Sequence, residues 1–189
     1  MPISSFSLQI EEKNKSYAKI YSSLINSEYQ RKRAYASLTA LYALISLVEK
    51  TNYEVQKSMT VFRTPELNEK YEISDFYVND WHIDVRILTK GNAFLGPKIH
   101  SESLIEPDFY AVVKIDSRLQ NAELLGFARP SAMVKDVYDY NYYSVSNNSL
   151  INYEEFLDIV EKKKVVKNSA DEHEFFKESF LSLVDNETD

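Results

Sequence analysis

Between Ile73 and Ile87 the chain reads ISDFYVNDWHIDVRI, and it sets Asp75, His82, Asp84 and Arg86 within reach of one another. The run alternates apolar and polar residues on both sides of Asn79-Asp80. Taken as a two-residue hairpin loop, that dipeptide pairs Val78 with Trp81, Tyr77 with His82, Phe76 with Ile83 and Asp75 with Asp84. Side chains alternate across a strand, so Phe76, Val78, Trp81, Ile83, Val85 and Ile87 share one face. Asp75, Tyr77, His82, Asp84 and Arg86 share the other. A slip of one residue would send the apolar set to the polar side, so the pattern fixes the register. Opposed carboxylates have β-carbons about 4.5–5.5 Å apart and repel unless something compensates. Arg86 is one candidate, as an ion-pair partner on the same face. Solvent screening is another, and a third is Mg²⁺ or Mn²⁺, hard cations that suit carboxylate oxygens.

The elements that must position this hairpin are legible on either side of it. Phe6, Leu8 and Ile10 alternate in SFSLQI, as in a short strand or docked arm. Tyr17, Ile20, Tyr21, Leu24 and Ile25 then fall at helical spacing on one face, and Tyr35, Leu38, Leu41, Tyr42, Ile45 and Val48 continue the stripe. Asn26, Ser27 and Gln30 mark a boundary by capping-box spacing, which predicts helices over 15–25 and 28–49, or one long helix with a break at Asn26-Ser27. YEVQKSMTVF supplies a strand and TPELNEK a polar connection. FYAVVKI and ELLGFA form a second pair joined by the polar DSRLQN, and their continuous apolar cores predict strands covered on both faces. VYDYNYYSV reads as an edge strand or ordered loop. Asn152 caps a helix over YEEFLDIVEKKK, and EFFKESFLSLV sets Phe175, Phe176, Phe180 and Val184 near one face of a last helix.

These elements predict an α+β fold: N-terminal helices packed on a mostly antiparallel sheet, closed by C-terminal helices, in one domain over residues 1–185 with an acidic frayed tail at 186–189. The 189 residues, 44% of them apolar, suffice for one hydrophobic core. No run approaches the roughly 20 apolar residues of a membrane span, and MPISSFSLQIEEKNK lacks the order of a secretory signal. No membrane contact and a cytoplasmic location are therefore expected. The chain has no cysteine, which excludes disulfides, thiol nucleophiles and thiolate metal sites. With 3 glycines it has neither phosphate-cradling loop motif, and nothing in it supports a redox cofactor, nucleotide or lipid. A net charge of −7 disfavours general coating of nucleic acid.

Asp75, then nine positions on Asp84-Val85-Arg86, at the end and start of adjacent strands behind an N-terminal helix, resembles the D…(D/E)-x-K core of the restriction-endonuclease-like nucleases, the PD-(D/E)XK superfamily. PDFYAVVKID, ELLGFARP and NYYSV before a helix are similar to the strands that come after the motif in some members, so the resemblance spans roughly Glu28 to Val160. It implies Asp75 and Asp84 as Mg²⁺ or Mn²⁺ ligands, Arg86 in the position of the catalytic lysine, and a nucleic-acid substrate. Arginine stays protonated at neutral pH, so Arg86 can stabilise charge but cannot act as a base, and the implied nuclease is divergent or degenerate. LTKGNAFLGPKIHSESLIEP shows no helical stripe where that family places a helix.

Set against this, a polar strand face is usually solvated, with one cross-strand ion pair. His100, near Glu102 and Glu106, reads as a solvated or hydrogen-bonded loop histidine, and Arg31-Lys32-Arg33 as a solvated helical patch. The tyrosines of DVYDYNYYSV have aspartates as their charged neighbours, which suits a protein contact better than base stacking. The function expected from the sequence is a non-catalytic protein-interaction or accessory domain with an unidentified protein partner, met by those tyrosines and the acidic tail, and with no cofactor assigned. The divergent Mg²⁺-dependent nuclease, acting on nucleic acid through Asp75, Asp84 and Arg86, is the alternative.

Overall fold

A computed structural model describes residues 5–57, 74–88, 93–102, 106–135 and 142–164. In chain order the elements are β1 (Phe6–Gln9), α1 (Glu12–Ser22), α2 (Glu28–Val48), β2 (Val55–Lys57), β3 (Asp75–Val78), β4 (Trp81–Ile87), β5 (Ala93–Pro97), α3 (Lys98–Glu102), β6 (Phe109–Ile115), β7 (Asn121–Ala128), β8 (Val134–Lys135), β9 (Tyr142–Ser146) and α4 (Tyr153–Lys164). The main sheet has six strands in the order β1-β7-β6-β4-β3-β2. Its pairs are antiparallel except β4 and β6, which run parallel. A parallel neighbour demands a long crossover, and residues 88–108, with β5 and α3 in them, supply it. The fold is α+β with a mostly antiparallel sheet, as the pattern of elements requires.

One face of the sheet carries Phe76, Val78, Ile83, Val85, Phe109, Ala111 and Val113, and all are fully buried with Leu38, Leu41, Leu44 and Ile45 of α2 and Phe156 and Val160 of α4. Phe156 stacks on Phe127 with ring centroids 3.8 Å apart and meets Phe109 edge-on at 5.4 Å. The other face carries a second cluster, in which Tyr110, Val112 and Ala128 pack with Val145, Leu150 and Met133. β9 lies between β5 and β8 in a three-stranded sheet on this side, so it is a central strand and not the edge strand of the sequence reading. Gly96 of β5 lies so close to the Met133 and Tyr110 side chains that a β-carbon there would fall 2.5 Å from Met133 Cε. β6 is thereby covered from both faces.

The N-terminal helices form an antiparallel pair: Asn14 Nδ2 donates to Ser46 Oγ, and Tyr17 meets Tyr42 at 5.4 Å. Helix α1 starts at Glu12, earlier than the spacing of large residues suggests, because Asn14 Oδ1 accepts the Glu11 N–H at 2.7 Å. Ser27 caps α2 by accepting the Gln30 N–H. Arg31, expected to be solvated, donates from Nε to the Ile25 carbonyl and from its guanidinium to the Asn26 carbonyl, and so holds the inter-helix turn. The helix expected over 174–184, the tail at 186–189 and the whole TPELNEK connection lie outside the described residues.

Candidate functional site

The hairpin forms in the expected register, with Asp75 opposite Asp84, Tyr77 opposite His82 and Val78 opposite Trp81. Asn79 and Asp80 both adopt left-handed backbone, φ 44° and 67°, the pair of positive values a type I′ turn requires. Asn79 also accepts the Glu54 N–H through Oδ1 and donates its own N–H to the Glu54 carbonyl, which fastens the turn to the chain entering β2. Val85 N–H donates to the Ser74 carbonyl at 2.7 Å. Residues 74 and 85 are thus a hydrogen-bonded pair and Asp75 with Asp84 the adjoining non-hydrogen-bonded one, the kind in which side chains stand closest.

Parallel pairing extends this row, because Tyr110 of β6 is the register partner of Asp84. Asp75, Asp84 and Tyr110 therefore lie side by side across three strands, with His82 and Arg86 two residues on either side of Asp84 on the same face. The face is not solvated, contrary to expectation. Asp75 is 4% exposed, Asp84 1% and Arg86 8%. At the Tyr110 end of the row, β5 lies against Tyr110, and His100 of α3 is buried, stacked on the Tyr110 ring, with Nδ1 3.1 Å from the phenol oxygen. A short helix thus stands in the stretch where no helical stripe was legible, and its histidine is a core residue.

Each acid has one oxygen satisfied. His82 Nε2 lies 2.7 Å from Asp75 Oδ2, and the His82 ring stacks on Tyr77 at 4.9 Å. Ser74 N–H donates to Asp84 Oδ2 at 3.1 Å. Asp75 Oδ1 and Asp84 Oδ1 are buried without a hydrogen-bond partner. Arg86 Nη1 stands 3.9 Å from Asp84 Oδ1, near enough for charge attraction and too far for a hydrogen bond. Burial, joined by the charge of Asp75, pushes the Asp84 carboxyl up to about 7 despite Arg86, the Ser74 N–H and His82. Burial opposes a charged His82, but the hydrogen bond to Asp75 and the charges of Asp75, Asp84 and Asp108 outweigh it, so its pKa is raised.

Two orphaned oxygens on one face have the chemistry to receive a hard cation, one from each acid. Among the described residues no group of three or more His, Cys, Asp or Glu is placed to hold a metal ion, so water or a ligand would complete the shell.

A second feature was invisible in the periodicity. Helix α1 turns Asn14, Ala18, Ser22 and the following Ile25 inward, and it leaves Tyr17 48%, Ile20 57% and Leu24 54% exposed. At i, i+3 and i+7 these three make one continuous strip. Close approach to α2 selects the small residues for the contact; of the stripe expected to face the core, Tyr21 and Ile25 do so, and Tyr17, Ile20 and Leu24 do not. Tyr29, just past the turn, is 70% exposed, with Arg33 over its ring at 5.9 Å.

No helix among the described residues is long and apolar enough to cross a membrane. No curated protein matches the chain, and neither does any solved structure. A family model described as "Protein of unknown function (DUF1822)" matches residues 8–186, nearly the whole chain, and the protein belongs to that family.

Proposed function

We propose that this protein is a non-catalytic interaction domain, working in the cytoplasm, that docks a protein partner on the strip formed by Tyr17, Ile20 and Leu24. The observation that carries this reading is the outward placement of three large apolar side chains in one row on α1. Single exposed apolar residues are ordinary, but a contiguous row marks a contact surface. Lys13 and Lys19 of α1 and Lys32 of α2 are exposed as well, Lys13 paired with Glu11 and Lys32 with Glu28, and the partner proposed is an apolar helical face edged with acids. Each of the three is about half exposed, so covering it contributes about half of the roughly 1.5–3 kcal/mol of full burial, and three together can anchor a contact. The carboxylate row fits the same reading as an internal feature, because Asp75, Asp84 and Tyr110 are all buried.

The test compares the full chain, purified from the cells that make it, with the double variant Ile20→Glu/Leu24→Glu. A stoichiometric protein partner should accompany the wild type and be lost from the variant, with the melting temperature unchanged. A partner retained at equal yield would place the binding surface elsewhere.

The second reading is a divergent Mg²⁺- or Mn²⁺-dependent nuclease, with Asp75 and Asp84 as ligands and Arg86 stabilising charge on a phosphodiester. The orphaned Oδ1 atoms favour it, as does the parallel strand β6 beyond the hairpin. A bound cation would offset the repulsion between the two acids and polarise a phosphodiester oxygen. Arg86 would hold the phosphate charge without taking up a proton, and His82 would orient Asp75.

A further inference from the structure

The apolar strip lies on a basic element of an acidic protein. Residues 12–33 hold six Lys or Arg against two Glu, a balance of +4 in a chain whose total is −7. Residues 171–189 have the opposite character, with seven Asp or Glu against Lys177 alone, a balance of −6. Within that acidic stretch, Phe176, Phe180 and Val184 recur every fourth residue, the spacing that lines up along one side of a helix. The chain itself therefore contains a segment with the sequence pattern that the strip calls for, apolar residues at helical spacing edged with acids.

Reach permits the contact. The described chain ends in α4 at Lys164, and Asp158 and Glu161 of that helix act electrostatically on Tyr53, just beyond the end of α2. Residues 165–173 extend to about 30 Å at most. The 21 residues of α2 rise about 30 Å, so the connection is long enough to run the length of the helical pair. Tethering also supplies an effective concentration in the millimolar range, which populates even a weak contact.

We propose that residues 174–184 dock in cis on the strip of Tyr17, Ile20 and Leu24, and that a partner of the same chemistry must displace them to bind. The inference rests on the proposed function in taking the strip as the binding surface, and it adds the regulation of that surface.

The chain has no cysteine, so Ser16→Cys/Ser182→Cys places one spin label beside the strip and one in the acidic segment of the full-length protein. Electron–electron distance measurement is expected to give a short, narrow distribution. It should broaden and lengthen when either Ile20→Glu/Leu24→Glu or Phe176→Glu/Phe180→Glu is added, and it should weaken at 1 M salt, where screening acts within about 3 Å. A broad, long distribution that neither pair of substitutions moves would overturn docking. A short distance lost on dilution with unlabelled protein would overturn docking in cis and assign the contact to a second copy. The proposed function fails by a different sign, a partner still bound by Ile20→Glu/Leu24→Glu. Failure of the docking alone leaves the partner yield of Phe176→Glu/Phe180→Glu equal to wild type, where docking in cis requires a higher yield.

Discussion

Asp75 and Asp84 face each other across the β3–β4 hairpin, and each has a carboxylate oxygen buried without a hydrogen-bond partner. Leaving a buried polar atom unpaired costs about 1–3 kcal/mol, more when it is charged. The pair is thus a strained feature of the native state, and its strain depends on protonation.

Stability should fall as pH rises. Asp84 titrates near its ordinary value in the unfolded chain and at about 7 in the fold, so between pH 4 and 7 the folded state binds more protons and loses stability with rising pH. His82 acts in the same direction. Its raised pKa gives stability that is complete below about 6.5 and is lost as pH climbs through the folded value. Asp84→Asn should remove the lower part of this slope and be more stable than wild type at pH 8 by roughly 1–4 kcal/mol. Urea denaturation across pH 4–9 measures this, and parallel curves for the two proteins would refute it.

The nuclease reading makes a separate demand. Calorimetric titration should show Mn²⁺ binding that Asp84→Ala abolishes and that strengthens above pH 7, because the cation needs the deprotonated carboxyl. Such binding would justify cleavage assays on DNA and RNA. Equal heats from wild type and variant would dismiss the cation, and with it the metal roles of Asp75 and Asp84.

Two positions hold α4 and its approach to the sheet. Gly126 has φ +142°, and a β-carbon there would fall 2.5 Å from the Ile151 carbonyl oxygen, beside the bridge joining Phe127 to Ile151. Gly126→Ala should therefore destabilise by more than about 1 kcal/mol, through both backbone strain and displacement of residue 151. Phe156→Ala removes a ring from the stack on Phe127 and should cost about 3–5 kcal/mol. Thermal melts of both variants check this, and a Gly126→Ala protein as stable as wild type would mean that residue 151 gives way without cost.

The hairpin was legible because strand alternation has a period of two and its turn residues tolerate positive φ, so one register satisfied both arms. The capping of α2 by Ser27 and the β6–β7 pairing were legible by similarly local rules. Burial of the carboxylate row was not, because the row runs on to Tyr110 of β6, where residues of β5, α3 and β9 pack from far along the chain, and no local pattern announces such contacts. His100 looked like a loop residue for the same reason. Helix α1 misled in a third way. Tyr17, Ile20 and Leu24 do share a face, but contact with α2 depends on how closely the backbones approach, and that favours Ala18 and Ser22 over Ile20 and Leu24. The exception to antiparallel pairing, β4 beside β6, comes from the crossover in residues 88–108, whose strand and helix are too short to leave a periodic signature.

The strip itself is tested most directly by a photo-reactive side chain at Ile20 in the full chain, expressed in the cells that make it, beside the same group at Lys114 on the sheet. The account requires one discrete heteromeric adduct from position 20 that Leu24→Glu suppresses and that position 114 does not form. Adducts of the same pattern and yield from both positions, indifferent to Leu24→Glu, would contradict it.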